Sequence, residues 1–381
     1  MIKTEQKLGI SGEFQVIVRN ADGTIKSDTG MQPNLILDNG IKHYLGITMK
    51  NDLNEDVPHN NGLMNWCVVG SGNEPPTESD VKLQNGITGS NNTRDWASGK
   101  EEPTDTLHPG YVKLWKRGKF IFDNINNQNI TELGLASYHQ AVWIASANQY
   151  QTRYKLMTRA LVKDNSGTPI AVTVLAGEVL EVVYQINMFI DIQRKTGEFT
   201  LTTTKDGVDT INEFEYFLQP FEIRNDSGSI DRGIGFDEYY GGIRSWGVKE
   251  TDDNLTSSYN LNDAEYQKIN HLNMDALYSK ISGNNTSGGN NSAKYAGDYQ
   301  FCSNHQADFL TKTRTVQFNH GIYTHVYPNG IRAYKWSPSW NGTIMVSALV
   351  VVKNKANGQG IKKTDRQIWE HIASFTINRW V

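Results

Sequence analysis

The sequence predicts a mainly β protein made of two antiparallel sandwich-like domains, with a few short helices and long polar loops. Three observations carry that expectation. Apolar strand-like runs recur along the chain, and turn dipeptides such as Asp22-Gly23, Asn39-Gly40 and Asp206-Gly207 punctuate them. Aromatic residues make up 10% of the 381 positions, with 9 Trp and 17 Tyr beside 34 Gly, a mix that suits pleated, half-buried sheets. In VLEVVYQINMFI, starting at Val179, the positions Val179, Glu181, Val183, Gln185 and Asn187 alternate with Leu180, Val182, Tyr184, Ile186 and Met188. That period of two marks a long half-buried strand.

Taken in order, the first strand run is Phe14 to Val18. LILDNGIKHYLGI then places Ile41, Tyr44 and Leu45 on one helical face. Trp66 to Val69 reads as a strand and leads into GSGNEPPTESDVKLQNG. Glycine directly after a strand is how phosphate-binding loops begin. Here Asn73-Glu74-Pro75-Pro76 intervenes before any helix and puts a carboxylate where a phosphate would sit, which argues against a nucleotide site. Thr77-Glu78-Ser79-Asp80 has the form of a capping box before Val81 and Leu83, closed by Gly86. The expectation is one capped helical turn, with glycines letting the strand leave its sheet and prolines stiffening the crossing.

Further strands are expected at Tyr111 to Phe122, Lys155 to Val162, Ile170 to Leu175 and Val179 to Ile190. A boundary after residue 193 divides the chain into 1–193 and 194–381. The second part opens on the hairpin EFTLTTTKDGVD, and its stretch 250–312, which holds the low-complexity run SGNNTSGGNNS, reads as a loop-rich insertion. Strands resume at Thr313 to Phe318, Ile331 to Trp336, Ile344 to Val352 and Ile372 to Ile377.

Composition narrows the function classes. Net charge is −4 and basic residues are scattered, so the electrostatic footprint of a nucleic-acid binder is missing. The longest apolar runs, such as Met345 to Val352, fall far short of the roughly 20 residues that span a bilayer, so membrane insertion is not expected. The first residues lack a signal-peptide core, which points to synthesis in a cytoplasm. Cys67 and Cys302 lie in different halves, and His320 and His325 stand five apart, so neither a disulfide framework nor a metal or other cofactor is expected. No Gly-x-Ser-x-Gly elbow is present to position a nucleophilic serine.

Four stretches in fixed order carry a resemblance: LILDNGIKHYLG; WCVVGSGNEPPTESDVKLQNGI; FIFDNINNQNITELGLAS; and LMTRALVKDNSGTPIAVTVLAGEVLEVVYQINMFI. With TGEFTLTTTKDG and FLQPFEIR after them, residues 10–250 resemble tail, tail-fibre or tail-tip structural components of tailed-bacteriophage virions. The resemblance implies a non-enzymatic role in virion assembly, with the chain as partner to itself in a homo-oligomer and to other virion proteins. Domain 1–193 would then fasten it to the particle. The polar arm Met1 to Gly9, with Lys3, Glu5 and Lys7, is expected to be mobile in an isolated subunit and ordered only against another chain, so its removal should leave folding nearly unchanged.

Two alternatives stay open. In the first, the half 193–381 attaches to a host-surface glycan or protein receptor through aromatic contacts, with Tyr239, Tyr240, Trp246, Tyr334, Trp336 and Trp340 as candidates. Their blander reading is sandwich core. In the second, Asp231, Asp237 and Glu238 serve a glycan hydrolase. A Gly-rich turn with solvated carboxylates explains those three more simply, and the chain shows no repeat period of the β-helical kind.

Overall fold

The computed structural model describes residues 2–57, 65–101, 110–123, 125–144, 149–191, 193, 195–220, 235–236, 243–244, 278–282, 302–320, 333–337, 339–340, 344–345, 348–358, 360–361 and 369–380. The mainly β expectation holds: the described residues are mostly strand, with one helix, organised around a large curled sheet that is mostly antiparallel.

The chain opens with β1 (Ile2–Arg19), β2 (Ile25–Asp28) and β3 (Gln32–Ile36), then the helix α1 (Asp38–Leu45). Next come β4 (Met49–Lys50), β5 (Asp56–Val57), β6 (Trp66–Gly70), β7 (Gly86–Ser90), β8 (Thr93–Glu101) and β9 (Tyr111–Phe122). They are followed by β10 (Gln128–Ile130), β11 (Glu132–Ile144), β12 (Gln149–Leu156), β13 (Thr158–Leu161), β14 (Val172–Val174) and β15 (Val179–Asp191). A hairpin of β16 (Lys195–Lys205) and β17 (Val208–Pro220) leads to β18 (Gly235–Phe236), β19 (Ile243–Arg244), β20 (Tyr278–Ser282), β21 (Cys302–Asp308) and β22 (Thr313–His320). The last described strands are β23 (Ala333–Ser337), β24 (Ser339–Trp340), β25 (Ile344–Met345), β26 (Ala348–Asn354) and β27 (Trp369–Arg379).

The large sheet has 14 strands, ordered β21-β22-β27-β1-β3-β13-β11-β6-β7, with β15, β9 and β8 continuing from the other edge of β1. Its core follows the alternation read from sequence. Leu180, Val182, Tyr184, Ile186 and Met188 are fully buried on one face of β15, against Ile10, Phe14, Val16 and Val18 of β1. Each such side chain contributes up to about 1.5–3 kcal/mol on burial.

Helix α1 also forms as expected, with Ile41, Tyr44 and Leu45 fully buried and Gly46 ending it in the left-handed region at φ 66°. Asn39-Gly40 is therefore not a turn but part of this helix. A side chain at Gly40 would meet the Met157 carbonyl oxygen at 2.8 Å, so glycine there serves close packing. Asp206-Gly207 does turn the β16–β17 hairpin, both residues at positive φ (52° and 76°), as a two-residue hairpin turn requires.

The N-terminal arm is a correction. Residues Ile2 to Ile10 pair in parallel with His371 to Arg379 of β27, and Gln6 and Leu8 are fully buried. Lys195 Nζ and the Tyr216 hydroxyl donate to the carbonyls of Glu5 and Lys3 at 2.8 and 3.0 Å. Lys3, Glu5 and Lys7 are exposed and alternate with the buried Gln6 and Leu8, a pattern that resembles a polar arm when read as composition alone. Deleting residues 1–9 should now cost about 3 kcal/mol or more, through the loss of Leu8 burial and of pairing along β27, read as a lower denaturant midpoint. A midpoint equal to that of the full chain would contradict this pairing.

Strand pairing also crosses the position expected for the 193/194 boundary, since β21, β22 and β27 lie in the same sheet as β1. Strands β20 and β21 fall within the stretch expected as a loop-rich insertion. A second sheet, ordered β16-β17-β26-β23-β20, holds the hairpin.

Candidate functional site

The stretch between β6 and β7 folds around a buried ion pair. Glu132, at the start of β11, is fully buried, and Arg159 of β13 is 3% exposed. The two side chains meet at 2.8–2.9 Å through both Nε and Nη2 of the guanidinium. Glu132 Oε1 also accepts the backbone N–H groups of Gly72 and Asn85 at 3.0 and 2.8 Å, and Oε2 that of Gln84 at 3.1 Å. The remaining Arg159 nitrogens reach outward. Nη1 meets Asp80 Oδ2 at 2.6 Å, and Nη2 donates to the Glu74 carbonyl at 3.2 Å.

This arrangement explains the glycines after β6. A Cβ at Gly70 or Gly72 would lie 2.7 or 2.4 Å from Glu132 Oε1, so side chains there would displace the carboxylate. Gln84 completes the wrap by accepting the N–H groups of Asn73 and Glu74 through its side-chain oxygen, at 2.7 and 2.9 Å.

The expected capped turn of helix is not there. Only half of a capping box forms: Asp80 Oδ2 accepts the Thr77 N–H at 2.9 Å, but the Thr77 hydroxyl donates to Asp80 Oδ1 at 2.6 Å, while the Asp80 N–H donates to the Thr77 carbonyl at 3.1 Å, and the chain makes a turn. The Asp80 carboxylate is held by Arg159, and the chain bends at once to bring Gln84 and Asn85 onto Glu132. Leu83 still packs down, among Leu37, Val68, Ala136 and Leu156, while Val81 is only half-buried. Partial burial alone would raise the Asp80 pKa, but the Thr77 hydrogen bonds and the Arg159 charge bring it below the ordinary carboxylate value.

The same region ties in the first resembling stretch and the C-terminus. The Asp38 N–H donates to the Glu78 carbonyl at 2.8 Å, and that of Leu37 to the Met157 carbonyl at 2.9 Å. Arg379 of β27 pairs with Asp38 and, at 2.7 Å, with Glu78. Every stretch that carries the resemblance thus sends at least one residue into one small neighbourhood. Chemically, both Glu132 oxygens are occupied by amides and a guanidinium, so the cluster is built to hold chain segments rather than to exchange protons.

Neither Arg159 nor Glu132 is among the candidate residues read from sequence. The usable signal was a charged residue at a core-facing position of each strand. Lys155 of β12 carries the same signal, since it is fully buried and burial pushes its pKa down to about 8. A lysine whose folded pKa lies below its unfolded value of 10.5 binds fewer protons when folded, so stability should rise between about pH 8 and 10.5. That rise should be smaller in Lys155→Met, measured as denaturant midpoints at either end of the window. An equal rise in both proteins would show that Lys155 is not the group responsible.

Of the residues singled out from sequence, Asp231, Asp237, Glu238, Tyr239, Tyr240 and Trp246 lie outside the described residues. Beside them, β18 and β19 pair through Gly235↔Arg244 and Phe236↔Ile243, and β18 runs next to β8 and β9. Tyr334 and Trp336 stand two positions apart in β23, in register with Val350 and Ala348 of β26. Trp340 stands in β24, opposite Ile344, in a different sheet.

No family model, curated protein or solved structure matches this chain.

Proposed function

We propose that the chain is a structural component of a tailed-phage virion, a tail protein that assembles as a homo-oligomer and attaches to neighbouring tail proteins. The observation that carries this reading is the convergence of the resembling stretches on the Glu132–Arg159 pair. The four stretches meet in space at a buried, extensively hydrogen-bonded node, which suits a scaffold. A catalytic reading would ask instead for charged groups left with bonding capacity towards a substrate.

The β16–β17 hairpin supplies a surface for assembly. β17 gains a third strand, β26, only from Phe214 onward, so towards its tip the hairpin runs as a two-stranded ribbon among the described residues. Val208 and Ile211 on this ribbon are 67% and 66% exposed. A lone two-stranded ribbon is marginal in water, and a neighbouring subunit covering these side chains would stabilise it. Sedimentation velocity on the full chain should give a homo-oligomer, shifted towards monomer in the double variant Val208→Asn, Ile211→Asn. A wild-type chain that stays monomeric up to its solubility limit would overturn the assembly reading.

A further inference from the structure

The outer face of the sheet carries a polar and aromatic patch that neither the core nor the Glu132 node uses. Strands β8, β9, β15 and β1 lie side by side, and their registers line up two rows of residues. The first row is Gly99, Trp115, Asn187 and Ser11; the second is Ala97, Arg117, Gln185 and Glu13. Trp115 lies over Gly99, where a Cβ would come within 2.5 Å of the indole, and remains half-buried. The exposed Arg117 guanidinium sits 5.3 Å from the indole centroid.

Beside this pair the two amides are fixed by one another. Gln185 Nε2 donates to Asn187 Oδ1 at 2.8 Å and to Glu13 Oε2 at 3.2 Å. Asn187 Nδ2 donates to Ser11 Oγ at 3.2 Å and to Glu13 Oε2 at 3.4 Å. Asn187 and Gln185 are 3% and 9% exposed, so on a solvent-side face they form a floor whose orientation is set before any ligand arrives. Around this floor Ser11 and Glu13 are half-buried and Arg117 is exposed.

We propose that this face binds a pyranose oligosaccharide. A pyranose presents C–H groups on one side, which suit an indole, and a rim of hydroxyls that both donate and accept. The patch offers the half-buried Glu13 carboxylate and Ser11 hydroxyl to accept and the exposed Arg117 guanidinium to donate, in the two rows that hold Trp115 and its neighbours. Competing ligand classes fit less well. A nucleic-acid backbone would need free cations, but Lys113 and Lys119 are committed to Glu101 and Asp95 at 3.2 and 2.8 Å. An apolar peptide would cover the Glu13 carboxylate and the Arg117 guanidinium without bonding them, which is costly. The inference stands apart from the assembly reading and does not need it.

The test is an array of hexose, N-acetylhexosamine and hexuronate oligosaccharides probed with the labelled full chain, followed by calorimetric titration of each retained sugar. We expect at least one pyranose oligosaccharide to bind, and its affinity to fall about tenfold in Trp115→Ala and in Arg117→Ala, with far-UV circular dichroism unchanged. If Trp115→Ala fails to fold, Arg117→Ala decides, because that side chain is exposed. No binding anywhere on the array, or wild-type affinity in Arg117→Ala, overturns the proposal.

Discussion

Gly134→Val should leave the protein largely unfolded under conditions where the wild type is native. A Cβ at this position of β11 would lie 2.1 Å from the Thr158 carbonyl oxygen and 2.9 Å from Leu156 Cδ1. The first of these is backbone and has nowhere to go. Thr158 is itself held from both sides, its hydroxyl accepting the Leu135 N–H at 2.8 Å and lying 2.5 Å from the Tyr184 hydroxyl. Relieving the clash therefore means separating β11 from the β12–β13 segment, and the expected loss is about 4 kcal/mol or more, the range reached by overpacked cores. Gly86→Ala is the control. Its nearest contacts are at 3.9 Å, and it should change stability by only about 0.5 kcal/mol. Equal melting temperatures for Gly134→Val and wild type would show that β11 and the β12–β13 segment do not approach as described.

The second large effect is expected at the buried ion pair. Many buried pairs can be replaced by apolar residues at little net cost, because the desolvation penalty disappears together with the attraction. Glu132 differs because its carboxylate also terminates three backbone N–H groups, those of Gly72, Gln84 and Asn85. Glu132→Ala should cost about 3–5 kcal/mol. Adding Arg159→Met should recover little of it, since the orphaned amides remain. Glu132→Gln keeps one acceptor oxygen and should fall between wild type and Glu132→Ala. If the double variant regained wild-type stability, the loop amides would not depend on Glu132, and the node would be an ordinary ion pair.

How far the sequence could be read depended on the kind of interaction. Period-two alternation identified β15 and its buried face residue by residue, and the apolar spacing of Ile41, Tyr44 and Leu45 identified α1, because both signals are local. What Gly134 makes room for was not legible locally, because the Thr158 carbonyl arrives from 24 residues further along the chain. The 67–86 stretch failed for the same reason. Its Thr77–Asp80 spacing is that of a cap, but the Asp80 carboxylate is drawn to Arg159, a residue no local rule connects to it. The arm Met1 to Gly9 was misread because its partner, β27, is near the other end of the chain. The outer-face patch needed four strands in register before Trp115, Arg117, Asn187 and Glu13 became neighbours.

Particle composition tests the central claim most directly. Phage particles released from cells that carry the gene should be banded, stripped of loosely adhering protein with salt, and quantified by mass spectrometry. A tail component predicts this chain in every preparation, at a fixed integer number of copies relative to the major tail protein, and labelled antibody against it decorating the tail. Infectious particles that lack the chain, or that carry it only at variable trace levels removed by the salt wash, would contradict the structural reading.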